Sequence, residues 1–242
     1  MTVMQIRING QLMLLMLAEK LIAMGCKIIQ ANTDGLFVLR KKNTDEQFKA
    51  VCKEWEEYTK LILEEDRFEA MYQFAINDYL AIKEGYAETK DPKCLKTKGL
   101  FIDEVKLGKG MQPMIIPISI NRYFADKIPI KETILNCKDL NQFVTYQKVD
   151  KKFSVEYKGE IISRINRYYV SNSGESGYIF KCTIDENGVR ENYQNMLTAS
   201  GVTIVNNFEE VKEFPTDINY SYYISEAQKI IDQFEVKQLS LF

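Results

Sequence analysis

The sequence contains no histidine at any of its 242 positions. This absence excludes Ser-His and Cys-His nucleophile pairs, histidine metal ligands and imidazole acid–base chemistry. Any catalysis must therefore use carboxylates, lysines, tyrosines or a bound metal. The five cysteines are odd in number, scattered and never in a Cys-x-x-Cys pair, so they indicate a reducing cytosol, with neither a disulfide framework nor a zinc site. They are Cys26, Cys52, Cys94, Cys137 and Cys182.

Strong charge and long apolar runs are also absent. The formal net charge is −2, whereas affinity for nucleic acid comes mainly from clustered Lys and Arg. Any contact with DNA must therefore use a local basic face. The apolar run 12–17 ends before Glu19 and Lys20, well short of the ~20 residues of a membrane span. We expect no targeting peptide, no membrane partner and a cytoplasmic location.

The first ninety residues alternate helical and strand patterns. A helix over 3–24 is predicted to end at Gly25. Thr44 and Gln47 predict a capping box at the start of a second helix. The other predicted segments are strands at 27–30 and 36–39 around a turn at 31–35, and a hairpin over 67–83 that breaks at 77–78. This order predicts an α+β layer of helices on an antiparallel sheet.

Two helix faces are predicted to be buried. In the first helix the apolar positions are 12, 15, 16 and 22, which indicates a core helix. The second helix carries a stripe at helical spacing with Trp55 in its middle. Its members are Phe48, Val51, Cys52, Trp55, Tyr58 or Thr59, and Ile62.

From about residue 90, glycine and proline separate shorter elements, so a soft boundary is placed near 100–112. A short helix is predicted over 133–144 and a final helix over 221–234. Strands are predicted over 153–157, 167–171 and 178–184. This half of the chain is a mixed α/β region.

The turn Asn32-Thr33-Asp34-Gly35 could carry chemistry. A carboxylate at the end of a tight hairpin is rigidly placed and exposed, and Mg²⁺ binds through one or two such carboxylates together with substrate phosphates. Two metals can stabilise both the attacking and the leaving oxygen of phosphoryl transfer. The same four residues also make a good turn, because Asn and Asp tolerate the left-handed conformation and Gly accepts positive φ.

The chain ends in Gln238-Leu239-Ser240-Leu241-Phe242. Gln238 can fix the register by hydrogen bonding while Leu241 and Phe242 enter a partner's groove. This pentapeptide resembles the peptide by which bacterial replication and repair proteins bind the sliding clamp, with the pattern Gln-Leu-Ser/Asp-Leu-Phe. The alternative is an amphipathic end that folds back on its own domain.

The segment Lys27-Ile28-Ile29-Gln30-Ala31-Asn32-Thr33-Asp34-Gly35-Leu36-Phe37-Val38 resembles motif C in the palm of family B DNA polymerases, where an apolar strand leads into Asp-Thr-Asp-Ser. Residues 75–81 fall where that family has Lys-Lys-x-Tyr, and Lys96-Thr97-Lys98-Gly99 resembles its Lys-x-Lys-Gly. Residues 217–234 are similar to the end of its thumb. The chain is thus identified as the C-terminal part of such a polymerase, of phage or bacterial type.

The resemblance implies a partial palm over 1–105, a thumb-like region over 106–236 and a clamp-binding tail over 237–242. It implies that Asp34 is catalytic and binds Mg²⁺ together with Asn32. The implied contacts are with primer-template DNA (Tyr79, Lys96, Lys98, Lys106 and Lys109) and with the sliding clamp (Gln238, Leu239, Leu241 and Phe242). A core position for Tyr79, and a solvated surface loop for the lysines, are the alternatives.

The sequence also departs from the family. Asn32 replaces the first motif C aspartate, and Asn77-Asp78 replaces the paired lysines. Motifs A and B are absent, and the motif A aspartate bridges both metals in the family. We therefore expect this chain to be inactive alone and to need the missing N-terminal polymerase portion. A non-catalytic clamp- and DNA-binding accessory protein with a degenerate palm, or a globular protein with a chance turn and tail, are the rival interpretations.

Overall fold

The computed structural model describes residues 2–32, 35–102, 112–172, 177–196, 201–207, 209 and 211–239, without the side chains of 42 and 235–239. The chain divides into two compact units, Met1–Phe68 and Glu69–Phe242. The described residues form six α-helices and several antiparallel sheets, which confirms the α+β class. The boundary expected between 105 and 106 falls among residues 103–111, outside the described part of the second unit.

The first unit follows the predicted order of helix, hairpin and helix. Its elements are α1 (Val3–Ala23), β1 (Lys27–Ala31), β2 (Leu36–Leu39) and α2 (Asp45–Thr59). A capping box between Thr2 and Gln5 starts α1, because each residue satisfies a backbone N–H that the helix leaves unpaired. Gly25 follows α1 with a φ of 91°, a left-handed conformation that glycine adopts without strain. The predicted stop at Gly25 is confirmed.

The predicted buried face of α1 is wrong at three of its four positions, since only Met16 is partly buried and packs on the core. Leu12, Leu15 and Ile22 are more than half exposed, and the residues that α1 buries are Leu17, Ala18 and Leu21. Trp55 of α2 decides the face, since its indole N–H donates to the carbonyl of Met13 at 2.7 Å and its ring joins the Leu17–Leu21 core. The core position predicted for Trp55 is confirmed.

The start and end of α2 also differ from the sequence pattern. The Thr44 hydroxyl donates to the carbonyl of Lys41 and makes no capping bond to α2. The predicted capping box is therefore wrong, because residues 42–44 form a 3₁₀ turn instead. Of the predicted alternatives Tyr58 and Thr59, Thr59 is partly buried and Tyr58 is exposed. The helix ends at Thr59, and Ile62 beyond it is exposed and does not extend the buried stripe.

The second unit begins as a three-stranded antiparallel sheet packed against helices. The strands are β3 (Phe68–Ala75), β4 (Asp78–Lys83) and β5 (Leu95–Lys98), in that spatial order. The helices are α3 (Tyr86–Thr89), α4 (Ile115–Asp126), α5 (Ile130–Asn136) and α6 (Tyr220–Leu239). Leu80 and Ile82 of the sheet share one core with Ile120 of α4, Ile134 of α5 and Ile231 of α6. The hairpin predicted over 67–83 is confirmed.

The helix predicted over 133–144 is wrong, because α5 ends at Asn136 and a separate 3₁₀ turn covers Leu140–Phe143. Asp139 starts this turn by accepting the N–H of Asn141. The sequence pattern also missed α4, whose Pro117 lies in its first turn, where a missing N–H breaks no helical hydrogen bond.

A second core lies between two small antiparallel sheets. One sheet has the order β12 (Val202–Ile204), β9 (Ile165–Val170) and β6 (Thr145–Lys148). The other has the order β11 (Arg190–Asn195), β10 (Ile179–Ile184), β7 (Ser154–Tyr157) and β8 (Glu160–Ile162). Val155, Tyr168, Ile179 and Val202 fill the space between them. The strands predicted near 153–157, 167–171 and 178–184 are confirmed.

None of the helices in the described ranges combines the length and the apolar character that crossing a membrane requires.

Tyr223 of α6 joins three parts of the second unit. Its side chain is fully buried, and its hydroxyl donates to the carbonyl of Phe143 and accepts the N–H of Val170, both at 2.8 Å. Burial raises the pKa of Tyr223 far above its usual range, so the hydroxyl stays protonated and can fill both roles. α6, β9 and the 3₁₀ turn at Leu140–Phe143 are thereby fixed to one another.

We expect Tyr223→Phe to lower the free energy of unfolding by about 2–5 kcal/mol, because it leaves one buried N–H and one buried carbonyl without this partner. Urea denaturation followed by circular dichroism measures the change. Tyr222→Phe, at the half-buried neighbour on the same helix, is the matched control and should cost less. A Tyr223→Phe variant as stable as the control would contradict this role.

Candidate nucleic-acid interface

The motif C-like segment forms an antiparallel hairpin in the first unit. Lys27 of β1 pairs with Leu39 of β2, and Ala31 pairs with Leu36, with a bulge between Ile28 and Gln30. The Asn32 N–H donates to the carbonyl of Gly35 at 3.0 Å. The predicted hairpin of strands 27–30 and 36–39 is therefore confirmed. Thr33 and Asp34 lie outside the described residues.

The described residues near this hairpin do not by themselves make a magnesium site. Asn32 is exposed and offers one amide oxygen. Across the described ranges, no group of three or more acidic or cysteine side chains lies close enough to hold a metal. Mg²⁺ takes several oxygen ligands, usually with at least one carboxylate among them. Asn32 alone does not fit the ion, and Asp34 lies outside the described residues.

The two segments noted in the second unit come together in the structure. β4 and β5 pair antiparallel, with Tyr79 opposite Lys98 and Ala81 opposite Lys96. At the start of β4, the carboxylate of Asp78 accepts the N–H of Leu100 at 3.0 Å. The residues that resemble Lys-Lys-x-Tyr and Lys-x-Lys-Gly are therefore one structural unit, which we call the β4–β5 lysine ladder, comprising residues 78–83 and 95–100.

Lys96 and Lys98 lie on the same face of β5, because side chains alternate along a strand. Two residues of strand separate them by roughly 6.6 Å. Lys96 is exposed and Lys98 is partly exposed. Two cations at this interval on a rigid strand can follow a phosphate backbone without reading bases.

Tyr79 shares this face but is only 4% exposed. Burial raises its pKa, so its hydroxyl stays neutral. A ring that stacks on a base needs an open face, and this degree of burial favours the core alternative for Tyr79. Tyr79 pairs with Lys98 across the two strands, so it has a structural role in the lysine ladder.

Gly99 allows the β3–β4 turn to approach β5. It has a φ of 62°, and a Cβ built there would lie 1.9 Å from Oδ1 of Asp78 and 2.3 Å from the carbonyl oxygen of Asn77. No side chain fits between these atoms. Asp78 thus has a structural role that the sequence comparison with the paired lysines of the family did not reveal. The sequence signal for this role is the isolated Gly99 at the end of a strand, because such a glycine often marks a place where another backbone segment approaches closely.

Other basic and aromatic side chains of the second unit have different surroundings. Lys90 forms an ion pair with Asp126 at 2.8 Å and lies over the ring of Tyr86. Tyr168 and Tyr169 are buried, and burial raises the pKa of each to about 12. These tyrosines are core residues of β9, not exposed rings in a groove. Lys106 and Lys109 lie outside the described residues.

The tail begins within a helix. α6 extends to Leu239, five residues beyond its predicted end at 234. The backbone of Gln238 and Leu239 is therefore helical. The side chains of these two residues, and all of residues 240–242, lie outside the described part of the chain.

Comparison of the chain with family models, with curated proteins and with solved structures finds no match.

We expect Gly99→Ala to destabilise the second unit more than Gly85→Ala does. Both glycines have positive φ, so alanine at either costs about 1–2 kcal/mol in backbone strain. A Cβ at Gly85 meets nothing within 4 Å, whereas at Gly99 it collides with Asp78 and with the backbone of Asn77. Overpacking of this kind adds about 1–3 kcal/mol. Equal thermal denaturation midpoints for the two variants would contradict the close approach.

Proposed function

We propose that this chain is the C-terminal palm and thumb portion of a family B DNA polymerase. In the complete enzyme it would bind primer-template DNA, hold it during template-directed nucleotidyl transfer, and dock on a bacterial sliding clamp. The observation that carries the proposal is the ordered occurrence of a motif C-like hairpin, an amphipathic helix and the β4–β5 lysine ladder, followed by the clamp-type pentapeptide. The cell compartment we propose is the cytoplasm of a bacterium or of a phage-infected bacterium.

The geometry of the β1–β2 hairpin supports the proposal that this chain contains part of a polymerase palm. An antiparallel pair of strands closed by the bond from Asn32 to Gly35 has the strand–turn–strand form that motif C requires. With Mg²⁺ bound, the complete enzyme would polarise the reacting phosphate. We propose that Asp34 and a carboxylate from the missing motif A segment are its ligands, with Asn32 beside them. This chain alone is expected not to polymerise.

The surface of α1 supports a missing polypeptide partner. Seven of its large apolar side chains are each more than 40% exposed. They are Val3, Met4, Ile6, Ile8, Leu12, Leu15 and Ile22. Apolar area of this extent on a soluble protein marks an interaction surface. We propose that the polymerase segment with motifs A and B covers it.

The second candidate is a non-catalytic accessory protein that binds clamp and DNA. Asn32 in place of an aspartate favours it, because an amide carries no charge and binds Mg²⁺ more weakly than a carboxylate does. A co-encoded upstream chain with motif A that restores nucleotide incorporation when mixed with this protein would decide for the polymerase. Purification of the two chains as a complex is the practical first step.

We expect Lys96→Gln with Lys98→Gln to weaken binding of a labelled primer-template hairpin, measured by fluorescence anisotropy without clamp. If each lysine contacts one phosphate, the slope of log affinity against log salt should fall by roughly 1.8 in magnitude. The matched control is Lys151→Gln with Lys152→Gln, two exposed lysines in the turn between β6 and β7. An unchanged slope in the Lys96/Lys98 variant would remove the lysine ladder from the interface.

We expect the bacterial sliding clamp to raise the apparent affinity for primer-template DNA by roughly 10²–10⁴, because tethering makes the second contact intramolecular. Leu241→Ala with Phe242→Ala should abolish this gain and leave the clamp-free affinity unchanged. Ser240→Ala, which keeps both apolar side chains, is the control. A gain that survives loss of Leu241 and Phe242 would show that the tail is not the clamp-binding element.

A further inference from the structure

The four-stranded sheet of the second unit carries aromatic rings on the side that faces away from its core. Ile179 of β10 lies in the core between the two small sheets. Side chains alternate along an extended chain, so Tyr178 and Phe180 lie on the other side. Phe180 is opposite Asn195 of β11, which places Tyr193, two residues away, on that side as well. We call the surface formed by Tyr178, Phe180 and Tyr193 the aromatic face.

The rings of the aromatic face are close together and open to solvent. The ring centroids of Tyr178 and Phe180 lie 6.4 Å apart, and those of Phe180 and Tyr193 lie 6.0 Å apart. Tyr178 is 53% exposed and Tyr193 is 48% exposed, whereas Phe180, which contacts both, is partly buried. A single exposed aromatic residue is ordinary, but a contiguous group of them marks an interaction surface.

Hydrogen bonds hold the ring of Tyr193 in place. Its hydroxyl donates to Oε2 of Glu156 at 2.8 Å, and Nη1 of Arg190 donates to the same oxygen at 2.8 Å. The bond from Tyr193, followed by that from Arg190, lowers the pKa of Glu156, so this carboxylate stays ionised near neutral pH and keeps both partners. A ring with a fixed position loses less freedom when a ligand stacks on it.

The carboxylates of this sheet leave the aromatic face with little negative charge. Glu160 is opposite Tyr157, and Glu191 is opposite Thr183. Both pairs lie on the core side by alternation along their strands. Among the described residues of the four strands, Glu156 is therefore the one carboxylate on the aromatic face. Its side chain is only 13% exposed and is paired with a cation.

Two cations border the aromatic face. Arg190 is opposite Ile184 of β10, on the same side as Phe180, and its side chain is 36% exposed. Lys158, in the turn between β7 and β8, is exposed. A Cβ built at Gly177 would lie 2.8 Å from Cγ of Lys158, so the stem of this lysine lies beside the residue that precedes Tyr178. Exposed rings with cations beside them suit a ligand that has both flat bases and phosphates.

We propose that the aromatic face binds single-stranded nucleic acid. Tyr178 and Tyr193 each stack on one base, and Phe180 supports both rings. Arg190 and Lys158 contact the phosphates. Stacking of this kind reads no sequence, because every base has a π-face. The bases of a duplex are already stacked on one another, so the ligand is a single strand. This inference goes beyond the polymerase proposal and uses none of the residues of the β1–β2 hairpin, the lysine ladder or the tail.

Fluorescence anisotropy on the full chain tests this site, with a labelled oligothymidylate and an abasic strand that has the same number of phosphates. Because each stacked base strengthens binding, we expect the oligothymidylate to bind roughly tenfold or more tightly than the abasic strand. Equal affinity for the two strands would show that only phosphates are bound and would overturn the proposal. Absence of oligothymidylate binding at micromolar concentration would overturn it as well.

Substitutions of the exposed rings locate the binding. Tyr178→Leu and Tyr193→Leu should each weaken oligothymidylate binding by roughly fivefold to a hundredfold, because leucine keeps apolar bulk but has no ring to stack. Tyr193→Phe keeps the ring and should bind as the unaltered protein does. Tyr58→Leu, at a tyrosine of the first unit that is 77% exposed, is the matched control and should leave the affinity unchanged. Binding that survives both Tyr178→Leu and Tyr193→Leu lies elsewhere and refutes this site.

Two further measurements separate single-strand binding from other uses of the aromatic face. Tyr178→Leu should leave the affinity for a blunt duplex unchanged, so failure of the lysine ladder to bind duplex and failure of this site are separate results. A parallel loss of duplex affinity in Tyr178→Leu would count against the proposal. Sedimentation velocity tests for self-association, and an oligomer that Tyr178→Leu dissociates would identify the face as a protein interface and overturn the proposal.

Discussion

The hydroxyl of Tyr223 fixes the arrangement on which the second unit depends. It holds α6 to the 3₁₀ turn at Leu140–Phe143 and to β9 through two hydrogen bonds in a region from which water is excluded. Hydrogen bonds of this kind are expensive to leave unmade because neither partner has access to water. The same ring packs edge-to-face against Phe143, with centroids 5.2 Å apart. The sheet β3–β4–β5, α4 and α5 all pack on the core that this contact closes.

That core gives the β4–β5 lysine ladder its rigidity. One face of the sheet is anchored by Leu80 and Ile82, and Asp78 and Gly99 lock the two strands together at their ends. The lysines thus stand on a strand that cannot shift its register without moving the buried face. A phosphate backbone that bound there would meet cations whose spacing is set in advance, which lowers the ordering cost of binding.

The polymerase proposal makes a specific demand on the chain. A polymerase fragment needs a second polypeptide to supply motif A, and the exposed apolar surface of α1 is the part of the first unit suited to receive it.

Local patterns in the sequence determined both of the early hairpins, the end of α1 at Gly25 and most strands of the β-rich region, because alternation, turn residues and positive φ act over a few neighbouring residues. They also singled out Trp55, Lys96 and Lys98. The tertiary structure alone decided which side of α1 is buried, since residues 12–18 of that helix are all apolar and Trp55 selects the face. It decided likewise that Thr44 bonds backward to Lys41, that Tyr79 is buried, and that Asp78 lies against Gly99. Each of these depends on residues distant in the chain, and no local pattern contains the contact that fixes it.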